Sequence, residues 1–134
     1  DLAQGIEELV RDLETYSLLT VFVEIDPATA AAVTPQQSSE LLHILQEALI
    51  NVRKHAHASS VRIGLRHTNH RVELTIEDDG IGFHRDPAVS HSGHGLRNMA
   101  ERAQNLDGAL EVGSVPGRGT RITVSAPLPA SGLA

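Results

Sequence analysis

Cysteine is absent from the 134 residues, so neither a structural disulfide nor a thiolate zinc site can form, and nothing points to an oxidising compartment. Long apolar runs are absent too. None approaches the ~20 residues needed to span a bilayer, and no signal-peptide pattern opens the chain. Net positive charge is also lacking. A formal net charge of -6 argues against a general nucleic-acid or anionic-membrane surface, because an acidic body repels phosphate except where basic groups are focused locally. Any phosphate ligand therefore needs a dedicated site. Neither a Walker A sequence nor Gly-x-Ser-x-Gly occurs, which removes the P-loop and the simplest acyl-transfer readings. With 40% hydrophobic residues, the length suits one domain with a single core. The expectation is a soluble, cytoplasmic domain touching neither nucleic acid nor membrane. The helical pattern is already under way at Asp1, which suggests a piece of a longer chain.

Periodicity supplies the organisation. Leu2, Ile6, Leu9, Val10 and Leu13 recur at helical spacing, and Leu18 to Ile25 is a β-rich run closed by Asp26-Pro27. Thr34-Pro35-Gln36-Gln37 reads as an N-cap, a proline at the first helical position and a glutamine three residues after the cap. A long helix is expected from there to about Ala56. Val61, Ile63 and Leu65, then Val72, Leu74 and Ile76 across Thr68-Asn69-His70, alternate as a hairpin with one buried face. Leu96, Met99, Ala100 and Ala103 mark another helix ending near Gly108, and Leu110, Val112, Ile122, Val124 and Ala126 complete a second hairpin. Helices over one face of a mixed, mainly antiparallel sheet give a two-layer α/β sandwich spanning residues 1–127, with 128–134 as a tail.

Four polar or glycine-rich clusters are set on this frame. On the long helix, successive residues rotate by roughly 100°, so Glu47, Asn51, Lys54 and His55 share a polar stripe while Leu45, Ala48, Leu49 and Val52 face the other side. A carboxylate and an amide oxygen one turn apart suit Mg²⁺, a hard ion that keeps waters and bridges substrate phosphates. Lys54 would offer those phosphates a point charge. Asp78 follows a strand, where Gly80 and Gly82 let the chain turn closely beside a planar ligand and the carboxylate can accept from an exocyclic amine such as that of adenine. Gly93-His94-Gly95 stands before a helix, whose free N–H groups can receive phosphate oxygens. The segment from His84 to Ser92 reads as a lid. A dinucleotide fingerprint fails here, since Asn98 holds the third glycine position and a polar loop precedes. Gly117-Arg118-Gly119-Thr120 joins the last strands. The eight histidines, without cysteines or a spaced carboxylate partner, form no zinc pattern.

Gln46 to Ala56, Asp78 to Phe83, Gly93 to Arg102 and Ser114 to Thr120 resemble, in order and spacing, the boxes of the C-terminal catalytic ATP-binding domain of bacterial two-component sensor histidine kinases. More narrowly they resemble the subfamily whose response regulators are of the NarL type. The resemblance covers about Leu2 to Pro127. It implies the Bergerat (GHKL) ATP-binding fold shared with gyrase and MutL, and ATP with Mg²⁺ as ligands. Carried over by residue, Asn51 would ligate Mg²⁺, Glu47 would sit by the metal or the attacking group, and Lys54, with His55 beside it, would contact phosphate. Asp78 would bind the adenine amine, with Gly80 and Gly82 shaping the base pocket. Gly93, His94, Gly95 and Leu96 would hold the phosphate side and hinge the lid, and Thr120 would support the pocket through Asp78.

What the resemblance further implies is a phosphotransferase that donates the γ-phosphoryl to a histidine on a separate dimerisation domain. The product would then serve a NarL-type response regulator, the isolated domain being monomeric and its parent dimeric. No Glu-Leu-His-Asp acceptor segment occurs in the chain. Two alternatives use the same residues: an anti-sigma-factor-like serine kinase, and a non-catalytic nucleotide-binding regulatory module.

Overall fold

The computed structural model describes residues 1–55, 57–81, 93–115 and 118–129. Its elements run α1 (Leu2–Tyr16), β1 (Thr20–Ile25), α2 (Pro27–Ala32), α3 (Pro35–His55), β2 (Ser60–Thr68), β3 (Arg71–Asp78), α4 (Gly93–Gln104), β4 (Ala109–Val115) and β5 (Gly119–Pro127). The strands form a five-stranded sheet in the order β1-β2-β3-β5-β4. Only the β1 and β2 pair is parallel; the other three neighbouring pairs are antiparallel. This is the mixed, mainly antiparallel sheet expected from the alternating pattern.

Period-two alternation decides which face is covered. Val61, Ile63 and Leu65 of β2, Val72, Leu74 and Ile76 of β3, and Ile122, Val124 and Ala126 of β5 are all buried. They pack with Leu2, Ile6 and Val10 of α1, Leu41, Ile44, Leu45 and Ala48 of α3, and Met99 and Ala103 of α4 in one core. Each fully buried aliphatic side chain contributes about 1.5–3 kcal/mol relative to exposure, so the face bearing them is strongly specified. The opposite face carries charge: Arg66 pairs with Glu73 at 2.8 Å, and the Arg62 guanidinium lies 5.2 Å from the Phe22 ring centroid.

The start of α3 follows the capping-box reading. Gln37 N donates to Thr34 Oγ1 at 3.1 Å, and Thr34 N donates to Gln37 Oε1 at 3.0 Å. The same glutamine reaches across the molecule, its Nε2 donating to Pro127 O at 2.7 Å. Two expectations need correcting. Asp26-Pro27 does not merely close a strand. Asp26 accepts from Thr29 N as the N-cap of α2, and Pro27 takes the first helical position, where its missing N–H costs nothing. Leu128, expected to open a tail, is 8% exposed and belongs to the core, with its N–H donating to His70 O at 2.9 Å. The chain past Pro129 lies outside the described residues. The hairpin turn holds Asn69 and His70 at φ 53° and 62°, the left-handed pair that a tight two-residue turn requires.

Gln37→Ala should leave the Pro127 carbonyl and the Thr34 N–H unpaired in a half-buried setting. A loss of about 1–3 kcal/mol of unfolding free energy is expected, measurable by urea denaturation, with Gln37→Glu retaining the cap acceptor and losing less.

Candidate nucleotide site

The polar groups of the site extend rows that begin as core. In β3 the face occupied by Val72, Leu74 and Ile76 continues to Asp78, and in β5 the row Ala126, Val124, Ile122 continues to Thr120. Both are 7% exposed, and they oppose each other in the ladder. The sheet therefore places a carboxylate and a hydroxyl at one end of its helix-covered face. Gly80 N donates to Asp78 Oδ1 at 2.8 Å. Burial pushes the Asp78 carboxyl above the usual aspartate range, and the backbone N–H groups of Gly80 and Thr120 only partly offset that. A buried carboxylate with these two donors has capacity left for a third, which is what an exocyclic amine would supply.

Close backbone approach fixes this end. Gly119 has φ +98°, and a Cβ there would collide with the Asp78 backbone carbonyl, so only glycine fits. The neighbouring Asp79 does different work. Its carboxylate accepts from the N–H and hydroxyl of both Ser59 and Ser60, at 2.7–3.1 Å. These four bonds hold its pKa far below the usual carboxylate range, the Ser60 backbone N–H contributing most. The two adjacent acids thus separate into a buried, desolvated carboxyl and an exposed clamp joining the end of β3 to the start of β2. The clamp was not legible in the sequence, where Asp79 is one more acidic turn residue.

The second group forms between α3 and α4. Asn51 is half-buried on α3, and its Nδ2 is enclosed without a hydrogen-bond partner among the described residues. Glu47, one turn earlier, is also half-buried. Gly95 of α4 is buried against both: a Cβ on it would lie 2.5 Å from Glu47 Oε1 and 3.4 Å from Asn51 Nδ2. Gly93 opens α4. Lys54 is exposed on the last turn of α3. Leu96, expected at the ligand, is half-buried against the hydrophobic core. Gly82, the 84–92 segment, Gly117 and the side chains of His55 and His94 lie outside the described residues.

The unspent Asn51 amide donor calls for an acceptor such as a phosphate or water oxygen, while the amide's own oxygen and the Glu47 carboxylate beside it are the group types that hold a hydrated, phosphate-bridged cation. Among the described residues no group of three or more His, Cys, Asp or Glu side chains could hold a metal. A cation here would draw most of its ligands from phosphate and water, as Mg²⁺ does in nucleotide sites.

A sheet backed on one face by helices thus carries a buried carboxylate at one end and an Asn-Glu recess on α3. Residues 36–130 match the family described as histidine kinase-, DNA gyrase B-, and HSP90-like ATPase, and the chain belongs to that family. It is 35% identical over 127 residues to the sensor histidine kinase LiaS of Bacillus subtilis, covering 95% of this chain and 34% of that protein. It is 36% identical over 127 residues to the sensor protein VraS of Staphylococcus saprophyticus, with 95% and 35% covered. The chain thus spans about a third of the length of these curated relatives. The fold is similar to the blue-light activated histidine kinase of Erythrobacter litoralis EL346, with a TM-score of 0.77 at 23% identity over 92% of this chain and 40% of that one. The histidine kinase AdeS of Acinetobacter baumannii gives 0.73 at 16% identity, over 96% and 65%. The chain is thus an ATP-binding domain of this family, homologous to that part of sensor histidine kinases, and its open mixed sheet is the fold of such domains. No helix among the described residues is long and apolar enough to cross a membrane.

Two glycine substitutions should separate site from fold. Gly119→Ala meets rigid backbone at a left-handed φ and should lose at least about 1 kcal/mol of stability. Gly95→Ala meets the end of a flexible glutamate, so it should leave stability nearly unchanged while displacing Glu47 and weakening Mg-dependent nucleotide binding. Thermal denaturation and calorimetry distinguish them. For Asp78 the sign follows from its raised folded pKa. The native state holds more protons between the unfolded and folded pKa values, so stability falls as pH rises through that window. Asp78→Asn is therefore expected to raise the apo melting temperature at pH 7; an unchanged or lower value would contradict the desolvation account.

Proposed function

We propose that this chain is the catalytic part of a sensor kinase, transferring the γ-phosphoryl of Mg-ATP to a histidine on a separate dimerisation domain of its parent. The supporting observation is the recess where the Asn51 amide is enclosed without a partner beside Glu47 and under Gly95. The Asp78 carboxylate accepts the adenine amine, and Thr120, Gly80 and Gly82 border the base. Asn51 and Glu47 hold Mg²⁺ at the phosphates, Lys54 and His55 add positive and hydrogen-bonding contacts, and Gly93, His94 and Gly95 receive phosphate oxygens from the start of α4. Bound there, the ion neutralises charge on the polyphosphate.

Phosphoryl transfer needs positioning and electrostatic compensation more than covalent participation. The acceptor imidazole nitrogen forms the new P–N bond as the bond to the β-phosphate bridging oxygen breaks. ADP leaves with that electron pair, and Glu47 is the carboxylate on this face for the proton the imidazole sheds. His43, exposed on α3, is spent locally, its Nδ1 lying 2.8 Å from Ser39 O. The named relatives are sensor kinases, which favours histidine over serine as acceptor. A response regulator of the NarL type then receives the phosphoryl group, and the domain acts on the cytoplasmic side as a monomeric module of a dimeric parent.

Asp78→Ala should weaken ATP binding by the value of one hydrogen bond to a charged group, about 1.5–3 kcal/mol, and calorimetry with ATP and GTP reads it. Undiminished affinity, or equal wild-type affinity for GTP, sinks the base-reading role. The chain incubated alone with radiolabelled ATP should stay unlabelled and should label a separately supplied histidine-bearing hairpin of its parent with acid-labile phosphate. Label on the chain itself, or acid-stable label on serine, refutes the transfer described.

A further inference from the structure

α4 lies antiparallel on α3, and two contacts fix how far along it sits. At one end Gly95 rests against Glu47 and Asn51. At the other, Glu40 of α3 receives two side chains from the end of α4 and the residues just after it. Arg102 Nη1 donates to Glu40 Oε1 at 2.9 Å, and Asn105 Nδ2 donates to Glu40 Oε2, also at 2.9 Å. Both carboxylate oxygens are used, and the Glu40 side chain is 13% exposed. Arg102 lies seven residues after Gly95, and Glu40 seven residues before Glu47. Seven residues is close to two helical turns, so both contacts fall on the same pair of facing stripes. The two helices mesh at both points in one axial register only. A slip of one turn, about 5.4 Å, would break both bonds to Glu40 and bring a residue with a side chain to the recess now closed by Gly95.

We propose that Glu40, with Arg102 and Asn105, is a positioning element that locks α4 in the register where Gly95 completes the Glu47 and Asn51 recess. It touches neither nucleotide nor metal and acts through α4. The interaction is partly buried and held by two donors, which distinguishes it from a surface ion pair of negligible value. Met99 and Ala103, on the core side of α4, are apolar and buried. Apolar packing of that kind tolerates small sliding, whereas hydrogen bonds at fixed spacing do not. The inference rests on the reading that Glu47 and Asn51 serve the metal and phosphate side.

The test is calorimetry of the full 134-residue chain with ATP, in Mg²⁺ and in EDTA, for wild type, Glu40→Ala, Asn51→Ala and the charge-exchanged pair Glu40→Arg with Arg102→Glu. Glu40→Ala should lose about fivefold or more of the affinity gain that Mg²⁺ confers, with metal-free affinity little changed. The exchanged pair should recover most of it, since the Asn105 amide can present its oxygen to the new arginine. If Asn51→Ala loses the gain and Glu40→Ala keeps it, the positioning role is refuted and the site assignment stands. If neither loses it, both are refuted. Equal losses with and without Mg²⁺ reduce Glu40 to a stabilising contact and also overturn the proposal. Should Glu40→Ala fail to fold, Asn105→Ala removes one of the two bonds and must show a partial loss of the gain.

Discussion

Burial of one side of α3 is the constraint on which both the core and the site depend. Leu41, Ile44, Leu45 and Ala48 are wholly buried against the sheet and α1, so the rotation of the helix about its axis is not adjustable. Once that rotation is set, Glu47 and Asn51 have one direction available to them, and α4 packs where it can meet them. Chemistry at the recess is therefore specified by apolar area elsewhere on the same helix. A polar stripe on an isolated helix would have no such definition, because the ion pairs available to it are worth only tenths of a kcal/mol.

Asp78 shows the opposing cost. A carboxylate at the end of a core row is desolvated, and the fold gives back only the two backbone donors that the turn and ladder supply. The remaining deficit is what one further directed donor would offset, in place of the water the group has lost. Asp79, one residue later and on the opposite face, meets four donors and solvent and so has no such deficit. Two chemically identical neighbours thus shift in opposite directions, one through burial and the other through its four donors.

How far this was legible in the sequence varied with the range of the interactions. The capping box at Thr34, the alternation in β2 and β3 and the stripe bearing Glu47 and Asn51 are local patterns, and each appears in the structure as expected. α2 was missed because Asp26-Pro27 serves equally to end a strand or to begin a helix, and six residues of mostly alanine carry no periodicity to decide. Leu128 reads as the start of a tail because its core packing and its backbone bond to His70 both involve residues far away in the chain. The ties made by Gln37 to Pro127 and by Glu40 to Arg102 and Asn105 are similarly long-range. Charged residues on helix surfaces look alike until the partner helix is placed. Leu96, expected at the ligand from its neighbours in a motif, has its apolar side chain packed on the core.

The alternation that carries Asp78 also limits how this domain can diverge. β3 runs from Arg71 to Asp78 without a bulge, paired on both sides residue for residue. Removing or adding a single residue within it would invert every side chain beyond the change, turning the carboxylate out to solvent and a neighbour inward. Length variation is therefore confined to places where no face has to be kept, such as the turn at Asn69 and His70. Descendants of such a sequence could lengthen that turn freely, but they would keep the spacing between it and the aspartate, so the count of residues in one strand would persist longer than most of their identities.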